Sequence, residues 1–200
     1  MRIVVVGATG LIGNEVVKAL EKKHEVVKVG PKSGEYTVDI TSKTSIESLF
    51  KKTGKFDVLV SAAGNAVFKS LDDLTDDDFM LGLRDKLMGQ VNLVRLGLSY
   101  VNNNGSFTLT SGVLANEPMP GSSAISIVNS GLNGFVKAAA LEMKRGLRIN
   151  VVSPPFATET LKALGMDASI GIPAAKFARA YVESIEGKRN GEVIDVRKFV

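Results

Sequence analysis

The first thirteen residues, MRIVVVGATGLIG, constrain this chain more than any other stretch. Ile3, Val4, Val5 and Val6 form a β-branched run, which suits a strand buried on both faces of a parallel sheet. Gly7, Gly10 and Gly13 follow at three-residue intervals, and an amphipathic helical pattern starts at Leu11. A strand that ends in a glycine turn and feeds a helix N-terminus is an anion site. Its backbone approaches a pyrophosphate closely, and the helix's free N–H groups and dipole hold the charge. Glycine is required because a Cβ would block both the turn and the approach of the phosphates. The position straight after a strand gives the triplet its meaning as a dinucleotide fingerprint. Gly7, Thr9, Gly10, Leu11, Ile12 and Gly13 are therefore the first candidate cofactor-binding residues.

The rest of the chain alternates strand and helix patterns. Strands are predicted at residues 2–6, 25–29, 36–39, 57–61, 106–110, 148–152 and 192–196. Helices are predicted from 11 to about 22, then at 44–52, 76–101, 123–144 and 173–186, with Thr41 or Ser42 and Thr75 as N-caps. Such alternation with apolar strands predicts an α/β fold: a doubly wound parallel sheet of Rossmann type, in one domain over residues 1–200. Right-handed crossovers and a switch point beside the first strand put the ligand at the strands' carboxyl ends.

Composition narrows the chemistry. Cysteine is absent, which excludes disulfides, thiolate zinc sites and a cysteine nucleophile. The one histidine, His24, is expected in a solvated loop, and no metal site is expected. The net charge of +4 favours an anionic ligand, but the basic residues form no stripe, so nucleic acid is not an expected partner. The pairs Lys22–Lys23, Lys51–Lys52 and Lys144–Arg145 fall at predicted helix ends, where cations complement the dipole, and are read as solvated. The N-terminal apolar run is too short for a signal peptide, and no stretch is read as a membrane span. A cytoplasmic protein with no membrane partner is the expectation.

Residues after the second strand discriminate the adenosine ribose. An acid there accepts from a free 2′-hydroxyl, whereas basic and hydroxyl residues accommodate a 2′-phosphate. The segment reads Val29-Gly-Pro-Lys32-Ser33, with no acid. Lys32 and Ser33 favour NADP(H), with NAD(H) possible; the competing reading is a solvated loop lysine. Asp39 and Ile40 are placed to meet the adenine, although Asp39 equally suits a turn or cap.

With these residues in view, the chain resembles the short-chain dehydrogenase/reductase family over nearly its whole length. The likeness is carried by Gly7-Ala-Thr-Gly10-Leu-Ile-Gly13, Asp39–Ile40, Ser61-Ala62-Ala63-Gly64, Lys86-Leu-Met-Gly89, Thr110–Ser111 and Asn150-Val-Val-Ser-Pro154-Pro155. The resemblance implies hydride transfer between nicotinamide and a small carbonyl or alcohol. It adds Ala62, Ala63, Gly64 and Pro154 to the cofactor residues. It also implies a homodimer or homotetramer joined through the two long helices, whose apolar positions exceed one sheet-facing stripe.

The resemblance breaks at the catalytic pair. The family's proton-transferring tyrosine and its lysine four residues later fall on Ile125 and Asn129, and no tyrosine occurs between Val101 and Ala180. The family's asparagine on the preceding helix falls on Lys86. Asparagine and lysine thus look exchanged between two helices facing one site, which would return a cation to the nicotinamide ribose. Ser111 is the candidate to polarise a carbonyl. The catalytic candidates are Ser111, Lys86 and Asn129; the alternative is a catalytically inactive nucleotide sensor or assembly protein. Residues 156–172 are expected to form a short apolar cover over the cleft.

Overall fold

The computed structural model describes all 200 residues. Seven parallel strands lie in the order β3-β2-β1-β4-β5-β6-β7, namely Tyr36–Thr37, Glu25–Gly30, Arg2–Val6, Phe56–Ser61, Val101–Thr110, Arg148–Ser153 and Val193–Asp195. The direction of winding reverses at β1, which pairs with β2 on one side and β4 on the other. That reversal opens a crevice at the strands' carboxyl ends.

The opening β-branched run behaves as a strand covered on both faces. Val4 and Val6 enter the core under α2 (Lys43–Thr53), α4 (Met88–Gly97) and α5 (Ser123–Glu142). Ile3 and Val5 enter the other core, under α1 (Leu11–Leu20) and α7 (Ala178–Glu186). The period of two along β1 thus divides its side chains between two layers of helices.

Several boundaries differ from the sequence expectation. Helix α1 stops at Leu20, and β3 pairs only through Tyr36 and Thr37. The predicted helix over 76–101 is three pieces: α3 (Asp76–Gly82), a five-residue π-helical turn (Leu83–Leu87) and α4. Strand β5 starts at Val101, where Val101 pairs with Phe56 and the Asn102 amide donates to Asp57 Oδ1 at 2.7 Å. The predicted helix over 173–186 opens as a 3-10 turn, Ala174–Lys176, before α7. The cover segment contains α6 (Thr158–Ala163) and a further 3-10 turn, Ala168–Ile170.

Three further expectations are corrected. His24 is not a solvated loop residue: its side chain is largely covered, and Nε2 lies 3.1 Å from Glu186 Oε1. Arg145 is not simply solvated, because its guanidinium donates to the carbonyls of Leu98 (2.6 Å) and Val101 (3.1 Å), tying the end of α4 to β5. Helix α5 is long and apolar enough to cross a membrane by length and composition, contrary to the reading of the sequence. Here it packs Ala124, Val128, Leu132 and Val136 into the interior of the molecule.

Candidate functional site

The glycine turn after β1 is built by contact. Gly7 has φ +87°, and a Cβ there would stand 2.6 Å from the Ala62 carbonyl oxygen after β4. Gly10 donates to the Gly7 carbonyl at 3.0 Å and enters α1 in extended geometry with no side-chain cap. A Cβ on Gly13 would stand 2.0 Å from the Gly7 carbonyl oxygen, so α1 sits directly on the turn. The helix N-terminus is thereby held over the end of the sheet with no side chain of its own to neutralise it.

Two clefts meet at this seam. The first, about 530 Å³, lies over the ends of β1 and β2 and is lined by Gly7, Thr9, Gly10, Gly30, Pro31, Asp39 and Ile40. The second, about 330 Å³, lies over β5 and β6 and takes in Ile12, Lys86, Ser111, Ile125, Asn129 and Pro154. Ala62, Ala63, Gly64 and Asn65 line both.

Four of the residues singled out in the sequence line neither cleft. Leu11 faces solvent at the head of α1. Gly13 packs beneath Gly7. Lys32 and Ser33 are exposed just beyond Gly30 and Pro31. Asp39 stays on the cleft wall but makes a turn, its carboxylate accepting from the Thr41 hydroxyl (2.7 Å) and N–H (2.9 Å). Those bonds hold its pKa below the ordinary carboxylate value.

The second cleft gathers the three catalytic candidates. Lys86 projects from the π-helical turn, and its Nζ donates to the Ser111 carbonyl at 3.1 Å. No carboxylate pairs with it. Burial alone pushes its ammonium down to a pKa of about 8 from 10.5. The adjacent Asp85 turns toward Asn65, accepting from its N–H (3.2 Å) and Nδ2 (2.9 Å). That clamp between the β4 loop and the π-helical turn was invisible in the sequence, because nothing in the spacing of Asn65 and Asp85 links them. Ser111 Oγ and Asn129 Oδ1 are both buried without a hydrogen-bond partner. Phe156 lines the same cleft and meets Phe68 edge-on, with centroids 5.9 Å apart.

No tyrosine reaches this cleft. Tyr100 stacks on Phe50 in the core. Tyr181 is fully buried, with its hydroxyl 2.7 Å from Thr110 Oγ1, which itself donates to the Ser61 carbonyl. Burial raises the Tyr181 pKa above that of an ordinary phenol. The position opposite Lys86 on α5 is occupied by Ile125 and Asn129.

A seven-stranded parallel sheet, a glycine turn at its switch point and a second cleft beside it define a nucleotide-binding α/β protein of the dehydrogenase type. The chain matches the family described as enoyl-(acyl carrier protein) reductase over residues 4–200, and it belongs to the short-chain dehydrogenase/reductase family. A crystal structure of the protein lin1944 from Listeria innocua is 41% identical, with TM-score 0.94, covering 98% of this chain and 99% of that one. A small-chain dehydrogenase crystallised in complex with NADPH is 27% identical, with TM-score 0.87, covering 98% and 95%. The 3-oxoacyl-[acyl-carrier-protein] reductase FabG of Thermotoga maritima is 28% identical over 190 residues, covering 86% of this chain and 76% of its own. The match to the hydroxynaphthalene reductase arp2 of Aspergillus fumigatus, 24% identical, spans about half of that protein's length (54%) and 71% of this chain.

Proposed function

We propose that the chain binds NADP(H) along the two joined clefts and uses it to interconvert a small carbonyl compound and its alcohol. The observation that carries this reading is the seam itself. A backbone stripped of Cβ atoms at Gly7 and Gly64 joins the two clefts at the exposed end of α1. The residues present fit a dinucleotide. Gly7, Thr9 and Gly10 would hold the pyrophosphate, and Asp39 and Ile40 the adenosine. Lys32 and Ser33 would meet a 2′-phosphate at the rim. Ile12, Ala62, Ala63, Gly64 and Pro154 would enclose the nicotinamide half. The buried, unpartnered Ser111 Oγ and Asn129 Oδ1 are polar atoms awaiting a ligand's partners. When bound, the cofactor supplies hydride. The NADPH-bound relative at 27% identity supports the same assignment.

Within this reading, Lys86 provides the positive charge that the family's α5 lysine provides elsewhere. It reaches the cleft from the π-helical turn rather than from α5. A second reading, a nucleotide-binding protein without turnover, is favoured by one observation: Ile125, and no tyrosine, lines the second cleft. Titration with NADPH, followed by fluorescence, and then oxidation of the bound NADPH against a panel of small aldehydes, ketones and quinones separates the two. Binding with carbonyl-dependent oxidation supports the oxidoreductase; saturable binding with no oxidation across the panel supports the second reading.

A further inference from the structure

Carbonyl reduction needs a proton as well as a hydride, and no tyrosine lines the second cleft to give one. Of the nineteen residues that line the second cleft, Lys86 is the only one with an ionisable side chain. We infer that Lys86 is the proton donor of the reaction: its ammonium, held against the Ser111 carbonyl at the cleft wall, protonates the carbonyl oxygen of the substrate. The inference rests on the oxidoreductase reading and extends it.

The step balances. A bound NADPH would supply the hydride for the new C–H bond at the carbonyl carbon and would itself be oxidised to NADP⁺. The π electrons of the C=O bond move to oxygen, and oxygen takes one N–H proton of Lys86. Alcohol and a neutral amine result, and solvent reprotonates the amine. In the oxidative direction the neutral amine receives the hydroxyl proton.

The surroundings suit that cycle. A proton donor works best when its pKa lies near the working pH. Burial brings Lys86 to about 8 without a carboxylate nearby to hold it charged. The charged groups around it are few. On its own turn, Asp85 is committed to Asn65, and Arg84 is exposed. The strand floor offers only the Tyr181 phenol, behind Thr110 and raised by burial. The α5 wall opposite presents Ile125 and Asn129, neither of which titrates. The competing donors are hydroxyls. The Thr110 hydroxyl donates its hydrogen bond to the Ser61 carbonyl, and Ser111 Oγ has no base beside it to activate it. Lys86 is also held in place, because its Cα packs against Gly64, 2.7 Å from where a Cβ there would stand.

Two measurements test the inference, one of them independent of turnover. Competitive acetylation read by peptide mass spectrometry reports the ionisation of each lysine. Lys86 should become reactive around pH 8, ahead of the exposed lysines, and NADP⁺ with a carbonyl probe should protect it. Reactivity that rises only with the exposed lysines overturns the inference. The second is a pH profile of benzaldehyde, acetoacetate ester and phenanthrenequinone reduction at saturating NADPH. Reduction by the parent should fall about tenfold per unit above the Lys86 pKa. Lys86→Met should lose about 10²–10⁴-fold and the falling limb with it. Lys86→Arg should keep a residual rate with the limb moved to higher pH, since a guanidinium stays protonated. An unchanged limb in Lys86→Met overturns Lys86 as donor while leaving the oxidoreductase reading intact. NADPH binding with no reduction of any probe overturns that reading, and this inference with it.

Discussion

Gly64 and Lys86 are one structural decision made twice. The turn after β4 takes φ +123° at Gly64, and the Lys86 backbone fills the space a Cβ would need. Gly64→Ala should therefore cost about 1–3 kcal/mol in backbone strain alone and displace the lysine. Thermal unfolding alongside Gly54→Ala, where open space surrounds the missing Cβ, isolates the contact from the backbone term. Lys86 also carries a signed pH dependence. Its folded pKa of about 8 lies below 10.5, so below pH 8 the folded chain bears a desolvated charge at a cost. Between these two values the unfolded chain binds the extra proton, and stability contributed at this site rises with pH. Any stability difference in favour of Lys86→Met at pH 7 should accordingly shrink toward pH 10.5; a difference constant across that window removes the desolvation argument. At the rim, Lys32→Ala should cost NADPH about 1.5–3 kcal/mol and leave NADH untouched, as one charge-assisted contact requires. An unchanged NADPH/NADH affinity ratio removes Lys32 from the 2′-phosphate site.

Elements were legible where local pattern and tertiary environment agreed. The β-branched run of β1, its glycine turn and the alternation of strands and helices all speak through period and punctuation, and seven parallel strands follow from them. The lengths were less legible. Apolar Leu81, Leu83, Leu87 and Val91 keep a helical rhythm across a stretch that changes hydrogen-bond pattern twice, so periodicity cannot announce the π-helical turn. Such turns recur at functional sites, and this one carries the cleft's only ionisable side chain. Asn102, Asn103 and Asn104 read as a loop, yet β5 runs through them because Asp57 and Arg145 supply partners that the local sequence does not show. Of the candidate site, the glycine turn was legible, and Lys86, Ser111 and Asn129, singled out in the sequence, meet in one cleft. It was not legible at Asn65–Asp85 or Phe68–Phe156, whose partners are far apart in the chain. The start of this region is set by Thr75, whose hydroxyl accepts from the Asp78 N–H while Asp78 answers the Thr75 N–H. Thr75→Ala should cost about 1 kcal/mol in unfolding free energy, with NADPH affinity preserved. A loss of NADPH affinity in Thr75→Ala would mean that α3 positions the cleft directly.

At the scale of the molecule, apolar side chains lie exposed on α5 and at the end of α4. Leu98 remains 38% exposed and Leu141 89% exposed. Between the two helices runs a groove of about 490 Å³, lined by Val94, Leu98, Phe135, Ala139 and Met143, with Arg95, Glu142 and Lys144 along it. Apolar surface between charges of both signs suits a self-complementary contact, in which a two-fold axis brings each patch onto itself. An oligomer joined through these two helices is what the resemblance to the short-chain dehydrogenase/reductases leads one to expect. The chain should therefore run as a dimer or larger homo-oligomer in light scattering at micromolar concentration. Leu98→Asp with Leu141→Lys should shift it toward monomer. Assembly should also be felt at the site, because Asn129 lies on α5 and Lys86 on the turn that enters α4. Pinning both helices against a partner limits how far the cleft's walls can separate. The double variant should then bind NADPH more weakly as it dissociates, with affinity returning at higher protein concentration. A parent chain that is monomeric yet binds NADPH at full affinity would uncouple the site from assembly and assign the groove to some other contact.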